Sequence, residues 1–417
     1  MNVPVLEQQQ IAAVLLELRE ARAESDRLFR YLTPEAMYQR PIAERHRVLF
    51  YLGHLDGFDA IQICREGLGL KLRDPELDNL FQAGIDPDSS HLPSDTPADW
   101  PALPQIRAYV DRCRYQVDQS LDRAPLDVVL MALEHRLMHL ETLAYMFHNF
   151  AHDCKVPPPE EPHITLSAGA GGNSWRDVPE GTAILGQPCH DSAGEAVFGW
   201  DNEFDELHLN VPAFRVQLFP VTNGEYLRFV QQGAAMPHFW HRKNGELFYR
   251  GMFEDIRLPL DWPVYVTKLE AEAYAKSIGK QLMSEAQFHR AAYGVPSGQT
   301  RSYPWGSSAP STEFGNFNFQ RWNPESVYAK TSGASAFGVS QLVGNGWEWT
   351  STPFAPLPGF EARASYPGYS SNFFDGEHFV LKGGSSRTAG RLLRRSFRNW
   401  FRPNYPYVYA KFRCVEG

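Results

Sequence analysis

No two cysteines of this chain are spaced as a metal ribbon would space them. The five that occur, Cys64, Cys113, Cys154, Cys189 and Cys414, are scattered and odd in number, with no Cys-x-x-Cys. That pattern argues against a disulfide framework and fits thiols kept reduced in a cytoplasm. Long apolar runs are also missing. The N-terminal stretch "VLEQQQIAAVLLELREARAESDRLF" is interrupted by Glu and Arg at helical spacing. It reads as an amphipathic helix and as neither a signal peptide nor a membrane span. There is no basic stretch long enough to follow a phosphate backbone, and the net charge is −9, so nucleic acid is not an expected partner. Internal repeats and low-complexity tracts are absent as well.

The 417 residues suffice for two or three domains. Their texture changes near residues 155–180. Before that point four long helical periodicities stand out. They are the N-terminal stretch above, "HRVLFYLGHLDGFDAIQICREGL", "PALPQIRAYVDRCRYQVDQSLDRA" and "PLDVVLMALEHRLMHLETLAYMFHNF". Four amphipathic helices of this length suggest an up-down bundle over residues 1–155. The polar stretch "DPDSSHLPSDTPADW" reads as a long connection between the second and third. Residues 156–180, rich in Pro and then Gly, read as a linker. Residues 181–417 carry short apolar runs between Gly, Pro, Asn and Asp, where most of the aromatic residues fall. Helices are expected at "TKLEAEAYAKSIG" and at "SEAQFHRAAYG", where Ser284 and Gln287 match a capping box. The expected fold is therefore a helical bundle followed by an irregular α+β domain.

The stretch "EHRLMHLET" places His135 and His139 one helical turn apart, so both rings leave one face. A third imidazole is available in "FYLGHLDGFD", where His54 lies mid-helix among apolar residues. Side chains from different bundle helices meet in the core, and three histidines with open positions describe a catalytic rather than a structural site. Imidazole nitrogen suits zinc, iron, copper or nickel, and spacing does not choose among them. His148 and His152, also four apart, read as surface or interdomain residues. Trp347 and Trp349 read as structural.

Two sets of residues resemble known families. The N-terminal part resembles the DinB-type bundle, whose members hold a metal with three histidines. The motifs "FPVTNGEYLRFV", "WPVYVTKLEAEAYAKSIGKQLMSEAQFHRAAYG", "GNGWEWTSTPF", "VLKGGSS" and "RRSFRNWFRPNYPYVYAKFRC" are similar, in order, to the formylglycine-generating-enzyme (sulfatase-modifying factor) fold, of C-type-lectin-like architecture. The fusion resembles the non-haem iron sulfoxide synthases of ergothioneine and ovothiol biosynthesis and their relative, selenoneine synthase. That resemblance implies Fe(II) on His54, His135 and His139, with O2 as co-substrate. It implies contact between the betaine hercynine and Asn399 and Trp400, the ammonium group lying against an aromatic face. It also implies a proton-donating or redox-active tyrosine, Tyr366 or Tyr369, in "SYPGYSSNFFDG".

Three departures from the family pattern bear on the chalcogen donor. Met138 stands where the ergothioneine enzymes commonly carry Gln, and Phe401 where some carry Asp. The bundle's long loop, "GIDPDSSHLPSDTPADW", has four Asp and no Arg or Lys. An acidic loop suits a neutral polyhydroxylated donor such as a selenosugar better than a dianionic thiol peptide. The expected activity is carbon–selenium bond formation between hercynine and a selenosugar. The alternatives are a carbon–sulfur synthase of ergothioneine or ovothiol type, a zinc- or nickel-dependent thiol transferase of DinB type, and a non-enzymatic binding module. A formylglycine-generating activity would need a late cysteine pair, and only Cys414 lies in the last 200 residues.

Overall fold

Helix-favouring residues dominate the first third of the chain, and the computed structural model forms helices there. It describes residues 5–82, 92–158 and 172–417. The chain divides into two units, Met1–Glu161 and Pro162–Gly417.

The first unit holds α1 (Val5–Arg30), α2 (Val48–Asp59), α3 (Pro75–Gln82), α4 (Leu103–Asp118) and α5 (Leu126–His148). Four of these are the expected long helices. α2 departs from the expectation by passing into a π-helical turn at Ala60–Glu66. Almost every residue of α2 is buried, so it is the central element rather than an amphipathic surface helix. α3 was not expected, yet its start is legible. Asp74 accepts from the Leu77 amide at 3.3 Å and Pro75 occupies the first helical position. His148, read as a surface or interdomain residue, is buried in the last turn of α5.

Among the described residues, the second unit contains thirteen short strands: β1 (Trp175–Val178), β2 (Gly181–Leu185), β3 (Leu207–Val211), β4 (Phe214–Gln217), β5 (Trp240–Lys243), β6 (Glu246–Arg250), β7 (Asp255–Arg257), β8 (Gln281–Leu282), β9 (Trp347–Pro353), β10 (Phe379–Lys382), β11 (Asn399–Phe401), β12 (Ala410–Lys411) and β13 (Cys414–Glu416). Because β1 begins at Trp175, the stretch read as a linker ends before residue 180; its residues 159–171 lie outside the described ones. The sheets run in the orders β1-β4-β13-β8, β11-β10-β9-β12, β2-β3 and β5-β6-β7. Three helices accompany them: α6 (Asn223–Gln231), α7 (Lys268–Ser277) and α8 (Glu285–Tyr293). Each opens with a reciprocal capping box, at Thr222/Glu225, Thr267/Glu270 and Ser284/Gln287.

The core of this unit joins Val178, Leu185, Phe214, Phe288, Leu342 and Val415 from distant stretches. A buried ion cluster ties the chain end to β9. Arg413 donates to Glu348 at 2.8 Å, and Lys411 lies 3.1 Å from the same carboxylate, all three without exposure. Trp347 and Trp349 are buried, and the Trp349 indole donates to the Val266 carbonyl at 2.8 Å. Gly383 holds φ at +95°, and a Cβ there would sit 2.3 Å from the Leu342 carbonyl oxygen, so "LKGGSS" requires glycine at that point.

Candidate metal centre and aromatic cluster

α5 begins after Pro125 with Asp127 in its first turn, a favourable start for a Leu-, Met- and Ala-rich helix. Its 3.6-residue turn stacks His135 over His139. α2 supplies His54 from the neighbouring helix. All three are buried, and one nitrogen from each lies within 4.8 Å of the others. Nε2 of His139 and Nε2 of His135 are 3.1 Å apart. Two imidazole nitrogens bound at right angles on a metal, with bonds of about 2.1 Å, lie about 3.0 Å apart.

The surroundings fix how His54 presents itself. Its Nδ1 lies 2.7 Å from the Phe81 carbonyl of α3. A carbonyl only accepts, so Nδ1 carries the proton and the Nε2 lone pair faces the cluster. That Nε2, like Nδ1 of His139, is buried with no hydrogen-bond partner. Burial lowers the His54 pKa to about 4, against a smaller raising by the Phe81 bond. Burial first, and then neighbouring imidazoles and cations, hold His135 and His139 well below the usual imidazole value. Three neutral imidazoles with convergent lone pairs and orphaned buried nitrogens fit a divalent transition-metal ion.

Aromatic rings wall the cluster. Phe58 stacks on His135 at 3.5 Å, Phe50 stacks on His54 at 4.9 Å, and Tyr51 lies 5.9 Å from His139. α3 approaches α2 closely enough that a Cβ on Gly53 would meet the Phe81 ring at 2.5 Å. Sequence reasoning missed Phe81, because a main-chain acceptor leaves no residue-type signature. Met138 is half-buried on α5, next to His139 in the chain.

In the second unit, Asn399, Trp400 and Phe401 form β11, paired with β10 through Leu381, Val380 and Phe379. Trp400 stacks on Phe354 at 4.2 Å and meets Tyr369 at 5.4 Å and Phe373 at 5.5 Å. Tyr369 stacks on Trp200 at 3.9 Å, and Tyr366 lies 5.8 Å from Tyr369. Tyr366, Tyr369 and Trp400 therefore belong to one partly exposed aromatic cluster. Asn399 and Phe401 do not share Trp400's face, because neighbours on a strand alternate. Asn399 Oδ1 accepts from the Trp400 amide at 2.9 Å, and Phe401 stacks on Tyr405 at 5.1 Å. Trp200 and Phe354 were not singled out; Phe354 ends the motif "GNGWEWTSTPF", and Trp200 reaches the cluster from a distant stretch.

Two of the acidic loop's four aspartates lie among the described residues, and one of them is paired with arginine. Asp95 accepts from Arg47 at 2.8 Å and from the Trp100 indole at 2.8 Å, and is paired with Arg40. Asp99 turns back onto Thr96. Asp86 and Asp88 lie outside the described residues.

The helical unit thus carries a buried histidine triad, and the sheet-rich unit a partly exposed aromatic cluster. Residues 177–417 match the sulfatase-modifying factor enzyme 1-like domain. The hercynine oxygenase of Mycolicibacterium thermoresistibile is 34% identical over 87% of this chain and 86% of its own length. That of Mycolicibacterium smegmatis is 32% identical over 89% and 93%. The chain belongs to the family of these hercynine oxygenases. Ergothioneine biosynthesis protein 1 of Neurospora crassa is 27% identical over 92% of this chain, which spans 55% of that longer protein. No described helix is long and apolar enough to cross a membrane.

Proposed function

We propose that this chain is a non-haem Fe(II)- and O2-dependent synthase that joins sulfur to an imidazole carbon of hercynine. The observation that carries the reading is the buried triad of neutral imidazoles, in a chain of the hercynine oxygenase family. The helical unit is read as DinB-like. His54, His135 and His139 would hold the metal, which when bound would supply O2 activation. The chain's own part is binding and orientation, which supply much of the rate by bringing two substrates into one geometry. Trp400 offers an aromatic face to the trimethylammonium group, which cannot donate a hydrogen bond. Tyr366 or Tyr369, in the same cluster as Trp400, delivers a proton. Five cysteines without a disulfide are consistent with a cytoplasmic enzyme.

A second reading, carbon–selenium bond formation with a selenosugar donor, is favoured by Met138 and Phe401, which replace polar residues of the ergothioneine enzymes. The loop argument for it is weaker, since Asp95 is neutralised by two arginines and Asp99 is engaged with Thr96.

The test is anaerobic reconstitution with Fe(II), then air and hercynine, with γ-glutamylcysteine, cysteine or a selenosugar in parallel and products read by mass spectrometry. A sulfur adduct as the dominant product supports the main reading, and a selenium adduct formed much faster supports the second. No adduct from any donor, with Fe(II) bound, overturns both.

A further inference from the structure

Beside the histidine cluster, on the same two helices, lies a buried network of charge. Arg136 follows His135 directly, and Asp56 stands two residues after His54. Arg136 Nη2 donates to Asp56 and to Asp59, each at 2.7 Å, and its Nη1 donates to the Ser25 hydroxyl at 3.1 Å. Arg136 and Asp59 side chains have no exposure and Asp56 has 2%. Arg114 of α4 donates to the other Asp56 oxygen at 3.0 Å and grips Asp26 of α1 through bonds of 2.9 and 2.7 Å. Arg22 of α1 lies 3.6 Å from Asp59 and donates to Asp118 of α4 at 2.6 Å. α1, α2, α4 and α5 all contribute.

Burying so many charges is a poor route to stability, because apolar side chains of the same volume do as well or better. What an apolar core does badly is define register, since well-shaped hydrophobic residues tolerate repacking. A slip of one residue along a helix moves a side chain by about 1.5 Å and turns it by about 100°. One guanidinium held by two carboxylates three residues apart on the facing helix permits no such slip. The grip is placed where it matters: regular α-helical spacing of α2 runs from His54 only to Asp59, where the π turn begins.

We infer that Arg136, Asp56 and Asp59 are positioning residues for the metal centre, setting the separation of His54 from the His135–His139 pair. The inference rests on the metal reading proposed above.

The test is Co(II) binding to the full-length chain, followed by chelator competition and by the visible absorption band, with thermal melting of the metal-free chain in parallel. Asp59→Asn keeps the shape and one acceptor but loses the charge; Arg136→Lys keeps the charge but is shorter and lacks the second nitrogen that holds Ser25 while the first holds both carboxylates. Both should melt cooperatively, bind Co(II) 10- to 100-fold more weakly and shift the band. Lower melting temperatures with unchanged Co(II) affinity and spectrum would make the network merely structural and overturn the inference. A wild-type chain that binds no Co(II) or Fe(II) would instead remove the metal reading itself, and this inference with it.

Discussion

Adding one methyl group at Gly53 tests the link between α3 and the metal centre. The Cβ of Gly53→Ala would stand 2.5 Å from two atoms of the Phe81 ring and 2.6 Å from a third. Unstrained carbon contacts begin near 3.5 Å, so the ring and its backbone must retreat by roughly 1 Å. Phe81 is fully buried, so the ring has no open side to turn into. Overpacking of this kind costs about 1–3 kcal/mol, and the better helix propensity of Ala returns up to about 1 kcal/mol. The metal-free chain should therefore lose only about 0–2 kcal/mol. The displaced group, however, is the carbonyl that holds His54 Nδ1 at 2.7 Å. Loss of such an outer contact lowers metal affinity about 10- to 100-fold. The assay is Fe(II) or Co(II) titration against a competing chelator, beside a denaturant melt of the metal-free chain. Gly53→Ala with Phe81→Leu restores the space and should recover most of the affinity. Wild-type metal affinity in Gly53→Ala alone would refute the reasoning.

Further outcomes are expected. His139→Ala should abolish bound metal and turnover while leaving the metal-free chain about as stable, as metal analysis and melting would show. Glu348→Ala leaves Arg413 and Lys411 buried without their anion and should cost about 3–5 kcal/mol in chemical denaturation. Lys382 is fully buried, with its ammonium on the Arg395 and Phe397 carbonyls at 2.8 and 2.5 Å, and burial lowers its pKa to about 7. Its unfolded value is 10.5, so between pH 7 and 10.5 the unfolded chain binds more protons and stability rises with pH. Lys382→Met should flatten that slope; denaturation midpoints at pH 7.5 and 9.5 that differ as in wild type would contradict it. Trp400→Ala should raise KM for hercynine several-fold more than it lowers kcat, with Trp400→Phe intermediate.

Legibility in the sequence followed how local each signal was. His135 and His139 were readable because a single helix turn brings them together, and α7 and α8 because their caps and apolar spacing are contiguous. His54 needed a helix register that spacing alone does not supply. α3 was written in "DPELDNLF" as a cap followed by proline, but the polar surroundings masked it. α6 was likewise announced by Thr222 and Glu225. Charge counting along residues 84–100 misled, because Arg40 and Arg47, far upstream, fold back onto Asp95. The aromatic cluster could be named only in part: Tyr366, Tyr369 and Trp400 were singled out, Phe354 ends the quoted motif "GNGWEWTSTPF" without having been singled out, and Trp200 joins through tertiary packing. For His148 the surface half of the reading fails, because the last turn of α5 is buried.

The Phe81 carbonyl has a consequence for charge. A carboxylate in its place would draw the Nδ1 proton of His54 toward itself and push the ring toward imidazolate character. A main-chain oxygen leaves the ligand neutral. With His135 and His139 also uncharged, a divalent ion would enter with its full double charge unbalanced by protein donors, inside walls of Phe50 and Phe58 that offer no counter-charge. Such a centre ranks incoming molecules by electrostatics before shape. Under the proposed function, such a centre would retain an anionic donor more firmly than water or a neutral one, so the donor that deprotonates most readily at working pH would hold an advantage.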